Sequence, residues 1–293
     1  NRFRYGQANT DVTGDPRWAA KFSAGQLGFY VQDKWNVTDN FDLTYGLRMD
    51  MPLFLDTPVE NEGFNADAAA NGWDVKTNQK LSSSPMWSPR VGFRWNLDAK
   101  RNYVLRGGLG VFTGRVPFVW LSNNFSNTGI QTTSYSVYPT WNAQTGTSQV
   151  NGKDLQIIYN PNGQSVNLPA SSAGTPSKSA QTVNVFDKDF KFAQTLRANL
   201  AFDARFAGIK WTFEGLYAKT LNDMMVENLN ISATGKTFAE QYGLSFDNRP
   251  MYSKGDYSGI YKLVNTDGGY TWNLSAKAEK NFDFGLDMMA SYT

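Results

Sequence analysis

Alternation of apolar and polar residues is the dominant pattern along this chain. In residues 41–50, "FDLTYGLRMD", one set of alternate positions is wholly apolar and the other is polar or glycine. Successive side chains of a strand point to opposite faces, so this pattern predicts a β-strand with one apolar and one polar face. A soluble β-sandwich would bury the apolar face in a core, whereas a membrane β-barrel would turn it toward lipid.

Four pairs of such strands follow one another, and they predict hairpins at 25–52, 87–114, 194–221 and 270–293. The turns within the pairs are a few residues long. The connections between the pairs are long, covering 53–86, 115–193 and 222–269. Regular alternation of short and long connections is typical of outer-membrane barrels, whose periplasmic turns are short and whose extracellular loops are long. About nine residues of tilted strand cross the ~25 Å apolar band of such barrels, and the predicted strands are that long.

Aromatic residues beside the short turns predict a girdle at the membrane interface, with ordinary cross-strand packing of rings as the alternative. The girdle candidates are Trp35, Phe41, Trp95, Tyr103, Phe206, Trp211, Phe282 and Phe284.

Three charged residues fall on apolar faces: Asp33, Lys219 and Lys280. We expect a β-bulge to reverse the register before Asp33, and Lys280 is close enough to a turn to extend its amine to water.

Composition removes several classes of function. The 28 Lys and Arg residues nearly balance the 26 Asp and Glu residues, so a nucleic-acid partner is not expected. The chain has no cysteine and no histidine, which excludes disulfides, zinc sites built on these ligands and histidine-based catalytic triads. We therefore expect no enzymatic activity and no cofactor. No stretch approaches the roughly 20 apolar residues of a membrane helix, so a membrane-spanning form must be a barrel.

Two stretches carry a family resemblance. "GFYVQDKWNVTDNFDLTYGLRMD" (28–50) resembles a strand–turn–strand of TonB-dependent outer-membrane receptors. The matching residues are Tyr30, Gln32, Asp33, Trp35, Gly46, Leu47, Arg48 and Asp50. "SPRVGFRWNL" (88–97) and "RGGLGVFTGRVPFVWLSNNFSNTG" (106–129) are similar to the Oar-like branch of that family, which is common in Bacteroidota. The resemblance is close over 25–129 and extends to 194–293 only as a barrel pattern.

The resemblance implies an all-β, transmembrane antiparallel β-barrel of about 22 strands in the bacterial outer membrane, of which this chain supplies about eight. Residues 1–293 would be a portion of one barrel domain, with an N-terminal plug domain outside this chain. The implied function is transport of a large solute (an oligosaccharide, peptide or protein) through the plugged lumen. The implied partners are outer-membrane lipid, the plug, a TonB-type energy-coupling protein and, for some relatives, a surface lipoprotein. Since the chain stops inside an apolar alternation, we expect it to be part of a longer protein.

Two groups of residues are candidates for contacts with a plug or a substrate. The first group is a luminal wall of charges that could grip a plug or pair with each other across strands. It comprises Arg48, Asp50, Arg90, Arg94, Arg106, Arg197, Asp203 and Glu214. The second group lies in "GRVPFVWLSNNFSNTG" (114–129), where Pro117 should end the strand and rings and amides could hold a polar ligand. It comprises Arg115, Phe118, Trp120, Asn123, Asn124 and Phe125; the alternative is a loop that folds inward and packs on its neighbours.

The long connections are rich in Asn, Ser, Thr and Gly, and we expect them to be mobile. The acid-rich stretches 184–190 and 247–258 could supply oxygen ligands to Ca²⁺, but neither has the spacing of a known loop motif, so no metal site is assigned. Three other interpretations remain open: a barrel used for adhesion or as a scaffold in a surface or secretion complex, a complete small barrel acting as an enzyme or pore, and a soluble β-sandwich. The sequence leaves the transported substrate open.

Overall fold

The computed structural model describes residues 3–15, 17–115, 118–150, 153–154 and 176–293. The described strands are β1 (Phe3–Ala8), β2 (Ala24–Thr38), β3 (Phe41–Phe54), β4 (Met86–Asn96), β5 (Tyr103–Thr113), β6 (Thr132–Val137), β7 (Thr140–Asn142), β8 (Thr147–Val150), β9 (Lys153–Asp154), β10 (Thr182–Phe186), β11 (Gln194–Phe206), β12 (Ile209–Asn228), β13 (Ile231–Thr237), β14 (Pro250–Lys254), β15 (Gly259–Thr266), β16 (Tyr270–Asn281) and β17 (Asp287–Tyr292). The described helices are α1 (Thr10–Thr13), α2 (Glu62–Ala70), α3 (Phe118–Ser126) and α4 (Phe238–Tyr242), with a 3₁₀ turn at Lys178–Ala180. None of these helices is long and apolar enough to cross a bilayer.

Eight strands form one antiparallel meander in the order β2-β3-β4-β5-β11-β12-β16-β17. The all-β fold expected from the sequence is therefore confirmed, and the paired strands span 24–54, 86–113, 194–228 and 270–292. The last strand begins at Asp287 rather than Phe284, because Gly285 adopts a positive φ of 91° within a turn closed between Phe282 and Leu286. The sheet is open at β2 and β17 within the described residues.

The register keeps apolar residues on one face of this sheet. One row of directly paired positions crosses seven strands: Trp35, Leu43, Phe93, Gly107, Leu200, Gly215 and Leu274. At Gly107 an added Cβ would lie 2.7 Å from the Asn199 carbonyl oxygen, so only glycine fits under the Phe93 ring. A neighbouring row on the opposite face is mainly polar: Asp42, Arg94, Arg106, Ala201, Glu214 and Ser275.

The bulge expected before Asp33 is not found. Pairing between β2 and β3 is continuous from Ala24 to Asn36, and the first irregularity lies between Asn36 and Thr38. Asp33 therefore stays on the apolar face, opposite Tyr45, whose hydroxyl donates to its carboxylate at 3.1 Å. The prediction was wrong because a neighbouring hydroxyl, rather than a change of register, accommodates the charge.

The two lysines on the apolar face each have a polar or aromatic partner. Lys219, in the middle of β12, lies opposite Leu196 and donates to the Asp267 carbonyl at 3.2 Å, in the connection between β15 and β16. Lys280 places its amine 4.8 Å from the centroid of the Phe282 ring, beside the last short turn. Lys280 thus lies where a long amphipathic side chain can extend its amine toward water.

The 20-residue strand β12 pairs with two different strands in succession. Its first half, Lys210–Lys219, pairs with β16, and Asp223–Asn228 pairs with β15. Between these halves, the pairing with β11 skips Leu221, which marks a register shift. Strand β10 then joins β15 in parallel, which extends the sheet at the end where the long connections lie. Smaller sheets join β1 to β6, β7 to β8 and β9, and β13 to β14.

Two hydrophobic cores lie among the long connections. The first core contains Phe54, Leu81, Met86, Leu121, Phe125, Phe186, Phe190, Phe192 and Leu263. The second core contains Phe64, Ala68, Val75, Val183, Val185, Tyr257 and Ile260. Burial of these side chains packs α2, α3, β10 and β15 together, and the mobility expected for the long connections stays a prediction.

The first core covers the polar-face side of the sheet. Phe54 has the same strand parity as Asp50, and Met86 the same parity as Ser88, so both point to the polar face. In a barrel the polar face lines the lumen. The connections carrying Leu121 and Phe125 therefore fold inward over the long-connection end of the wall.

Candidate functional site

Residues 118–126, within the segment predicted to contact a plug or substrate, form α3. Strand β5 ends at Thr113, and Pro117, expected to end it, lies outside the described residues. One side of α3 enters the first core through Leu121 and Phe125. The Phe125 ring is 9% exposed and stacks on Phe22 with centroids 4.8 Å apart. Phe125 thus anchors the helix in the first core, which matches the alternative of a loop that folds inward and packs on its neighbours.

Another side of α3 lines a cavity of about 220 Å³. The lining residues are Trp120, Asn123, Asn124, Asn184, Val185, Phe186, Val226, Tyr261 and Leu263. We call this space the α3 cavity. Three of the six residues proposed from this segment meet there: Trp120, Asn123 and Asn124. Phe118 is 54% exposed outside the cavity, and Arg115 is an exposed residue in the link before the helix.

Asparagines fix α3 against β10. The Asn184 side-chain amide donates to the Asn123 carbonyl at 3.3 Å, and the Asn184 backbone N–H donates to the Asn127 carbonyl at 2.8 Å. Asn124 is only 3% exposed, and its Oδ1 has no hydrogen-bond partner among the described residues. A buried acceptor left unpaired costs about 1–3 kcal/mol, so this atom is a place where a donor would be stabilising.

A buried polar network holds the end of α3. The Gln131 side-chain oxygen accepts from the Thr128 N–H at 2.8 Å and from the Thr128 hydroxyl at 2.7 Å, while its amide donates to the Phe125 carbonyl at 2.8 Å. Asn61 donates to the Thr128 carbonyl at 2.7 Å and also caps α2 by accepting from the Phe64 N–H. The network therefore sets the position of α3 relative to α2.

Five of the eight predicted wall residues form ion pairs with each other. Arg48 binds Asp50 through two bonds of 2.7 Å, and Gln26 donates to the same carboxylate at 3.1 Å. Arg106 lies 2.9 Å from Asp203 and 3.9 Å from Glu214. The Arg106 pairs match the alternative in which wall charges pair across strands, whereas Arg48 and Asp50 pair within β3.

The middle of the polar face is basic and unpaired. Arg90, Arg94 and Arg197 have no carboxylate within 4.0 Å among the described residues. The guanidinium carbons of Arg90 and Arg197 each lie 5.9 Å from the centroid of the Phe112 ring. A cavity of about 900 Å³ borders Arg90, Phe112 and Arg197, and Gly92, Gly108 and Gly110 also line it. We call Arg90, Phe112 and Arg197 the arginine platform.

Seven of the eight girdle candidates pack against each other or against neighbouring rings near the short turns. The closest pair is Phe282 and Phe284, with centroids 5.3 Å apart, followed by Phe206 and Trp211 at 5.6 Å. Phe41 meets Trp95 edge-on at 6.3 Å. Tyr103 stacks on Phe202, and Trp35 is 55% exposed on the apolar face. Cross-strand packing is therefore present, and the position of these rings at the membrane interface stays a prediction.

Each of the acid-rich stretches considered for Ca²⁺ has one carboxylate in an ion pair. Burial acts to raise the pKa of Asp187, but the hydrogen bonds from Lys262, 2.6 Å away, and from the Asp189 N–H, together with the charges of Lys262 and Lys188, lower it. Asp247 accepts two bonds from Arg249, which hold the pKa of Asp247 below its usual range. No group of three or more acidic residues placed to hold a metal occurs in the part of the chain that the structure describes.

A second charged cluster ties the connections together beside α2. Asp67 lies 2.6 Å from the Lys178 amine and accepts from the Tyr257 hydroxyl at 2.5 Å. The Lys178 hydrogen bond, followed by that of Tyr257, lowers the pKa of Asp67. Burial and the Asp67 carboxylate raise the pKa of Tyr257 well above its usual range. These bonds join α2, the 3₁₀ turn and the segment before β15.

Sequence reasoning missed several residues of both sites. Asn184 and Tyr261 face Asn123 and Trp120 across the α3 cavity, but they come from β10 and β15, which pair in parallel. Phe112 was not proposed, although it stands on the same face of β5 as Arg106. The alternation in "RGGLGVFTG" places Phe112 on the polar face, and that exception is the signal that would have found it.

The whole chain, residues 1–293, matches the family described as outer membrane beta barrel domain. The chain therefore belongs to this family, and its open antiparallel sheet is part of a transmembrane β-barrel in the bacterial outer membrane. A comparison with curated proteins finds no match.

Two solved structures resemble the chain. The siderophore receptor PirA from Acinetobacter baumannii is 11% identical, with a TM-score of 0.44, over 89% of this chain and 26% of the receptor. The siderophore receptor PirA from Pseudomonas aeruginosa is 12% identical, with a TM-score of 0.43, over 92% of this chain and 34% of the receptor. The chain thus spans between a quarter and about a third of the length of these receptors.

Proposed function

We propose that this chain is the barrel portion of a TonB-dependent outer-membrane transporter of the Oar-like branch, which moves a large solute through a plugged lumen. The observation that carries the proposal is the unpaired basic centre of the polar face. Charges at both sides of this centre pair within the wall, whereas Arg90, Arg94 and Arg197 lack carboxylate partners among the described residues. Arg90 is half-buried, and Arg94 and Arg197 are exposed on this face. A plug that covered them would remove them from water, and its acidic side chains would supply the anionic partners that covered cations need.

The arginine platform is shaped for contact with another segment of protein. The glycines that line the cavity beside it leave the backbone of β4 and β5 open, since Gly92, Gly108 and Gly110 carry no side chains there. Two guanidinium groups beside one ring can bind carboxylates in a planar, bidentate manner. We infer that acidic side chains of the plug dock on this platform and that transport requires their release.

Charge reversal of the platform tests this function. In the full-length protein, Arg90→Glu combined with Arg197→Glu should repel the plug and open the lumen. Cells carrying this variant should become sensitive to vancomycin, and the purified protein should show larger and more frequent conductance steps in planar bilayers. Lys100→Glu, in an exposed turn, is the matched control. Wild-type conductance and resistance in the double variant, with the barrel still heat-modifiable on gels, would contradict plug docking at this platform.

A role in adhesion or as a scaffold is the second candidate function. It is favoured by the arm formed by β13, α4 and β14, where Tyr242, Phe246 and Tyr252 are 63%, 81% and 61% exposed. Exposed aromatic residues in one place are typical of protein-binding surfaces. Dependence on energy separates the two functions, because transport should stop when the proton-motive force is collapsed. Adhesion should persist under that condition and should be lost in the Phe246→Ser variant.

A further inference from the structure

The α3 cavity is the most specific binding feature outside the charged wall. It is separate from the arginine platform and shares Phe186 and Leu263 with the first core. We propose that it is a subsite for one neutral sugar ring, part of a larger carbohydrate cargo. This deepens the proposed function, since it names the chemical class of the solute that the transporter recognises.

Charge excludes many alternative ligands. None of the nine residues that line the cavity is ionisable at neutral pH: the polar ones are the asparagines, with the indole and the phenol. Lys262, between Tyr261 and Leu263 in the chain, is engaged 2.6 Å from Asp187. A carboxylate, a phosphate or an ammonium group would therefore lose its hydration in this cavity without gaining an opposite charge. The ligand group that enters is neutral.

The unpaired Asn124 oxygen requires a donor. Its Oδ1 is buried and without a partner among the described residues, and Asn124 lines the cavity beside Asn123, Asn184, valine, leucine and aromatic side chains. A hydroxyl group of the ligand can donate to this oxygen and accept from a neighbouring amide, since a hydroxyl is both donor and acceptor. A ligand hydroxyl that donates to the Asn124 oxygen removes the cost of leaving this buried acceptor unpaired. A ligand without that hydroxyl does not remove this cost, so the bond favours ligands that carry it.

The shape of the cavity suits a ring. Trp120 and Tyr261 both line the cavity and are each partly exposed, at 36% and 40%, so protein does not fully cover either residue. The apolar face of a sugar ring packs on such surfaces while its hydroxyls reach polar groups. A volume of about 220 Å³ holds about seven water molecules at ~30 Å³ each, which is room for one ring but not for an oligosaccharide. The rest of the carbohydrate would extend out of the cavity.

Binding to the purified full-length protein in detergent tests the proposal. The probes are methyl glucoside, methyl mannoside and methyl galactoside, with glucuronic acid as the charged comparison and a serine-containing tripeptide as the peptide comparison. We expect at least one neutral glycoside to bind by calorimetry, and glucuronic acid not to bind. Trp120→Ala should weaken that affinity about tenfold through loss of ring contact.

Asn124→Leu is the sharpest variant, because it removes the unpaired oxygen at nearly constant volume. It should weaken binding about three- to tenfold, the usual effect of one neutral hydrogen bond, while the barrel keeps its heat-modifiability. Asn96→Leu is the matched control. Asn96 also has a buried, unpaired Oδ1, but it lies at the short-turn end of β4, so its replacement should leave affinity unchanged.

Three results would overturn the sugar subsite: no neutral glycoside bound by the wild type at up to about 10 mM, equal affinity in Asn124→Leu, or Asn124-dependent binding of the tripeptide alone. None of these outcomes contradicts the proposed transport function if energy-dependent uptake and plug docking persist. Conversely, glycoside binding that survives in a protein without energy-dependent transport would overturn the proposed function and keep the subsite.

Discussion

The hairpins of the sheet and the packed connections use hydrophobic residues in opposite ways. On the hairpins, apolar side chains stand outside: Phe29 is 62% and Trp272 is 68% exposed on the apolar face. Among the connections, Phe64 and Ile260 are 0% exposed within a protein core. Lipid shields the apolar side chains of the hairpins from water, whereas other protein side chains shield those of the connections. The chain therefore stabilises its apolar residues in two different ways, and substitutions in the two regions should have different effects on stability.

The largest difference is expected when a core ring is removed. Phe64→Ala should destabilise the packed connections by about 3–5 kcal/mol, because it leaves a cavity between α2 and Tyr257. Hydrogen exchange of α2 and β10 measures this change. Phe29→Ala, on the apolar face of β2, is the control and should cost much less, since lipid chains refill the space. Equal losses of hydrogen-exchange protection in the Phe64→Ala and Phe29→Ala variants would contradict the difference between core residues and lipid-facing residues.

A smaller difference in stability is expected between arginine substitutions on the two faces of a single strand. Leu200 and Asn199 are neighbours in β11 that point to opposite faces, Leu200 in the apolar row. Leu200→Arg should lower the free energy of unfolding in lipid vesicles by about 2–4 kcal/mol, as charges on a lipid face do near the midplane. Asn199→Arg should be tolerated because the lumen is polar. Urea titration in vesicles checks the pair, and a costlier Asn199 variant would mean that the faces are assigned the wrong way round.

The smallest expected effect is a loss of stability at acidic pH that is confined to the packed connections. The lowered pKa of Asp67 means that the folded state favours its ionised form. Its contribution is therefore complete above the unfolded pKa of about 3.9 and is lost as pH falls through the lower folded pKa. The partly exposed pair should contribute about 1 kcal/mol or less. Exchange protection of α2 should fall in this acidic range in the wild type, and the fall should be reduced in Asp67→Asn. An identical profile in both proteins would assign the acid sensitivity to other groups.

The hairpins were predictable because strand alternation is a local property. Residues 41–49 reveal their faces without knowledge of any partner strand, and the register of β3 then fixes what lies opposite each of them. The exceptions needed tertiary information. Asp33 looked like a sign of a bulge, but the Tyr45 hydroxyl that accommodates it belongs to the next strand.

The packed connections and the α3 cavity were only partly predictable. Trp120, Asn123 and Asn124 were chosen for their chemistry, and they meet in one cavity. Phe125 was chosen on the same grounds and lies in a core, since sequence does not show which side of a short helix meets protein. The pairing of wall charges was equally hidden. Arg48 and Arg90 lie on the same polar face, yet only Arg48 has a carboxylate within reach among the described residues.

The length of β12 sets the height of the packed connections above the membrane. Twenty residues at ~3.3 Å each make a strand about 65 Å long, roughly twice the ~30 Å thickness of the hydrocarbon layer. Even at a tilt of about 40°, the strand projects well beyond the bilayer. The skipped residue Leu221 lets its outer half bend away toward β15 while the backbone stays continuous. The outer half of β12 is a continuous extension of the barrel wall. The distance between the packed connections and the lipid is therefore set by one rigid strand and not by a flexible loop.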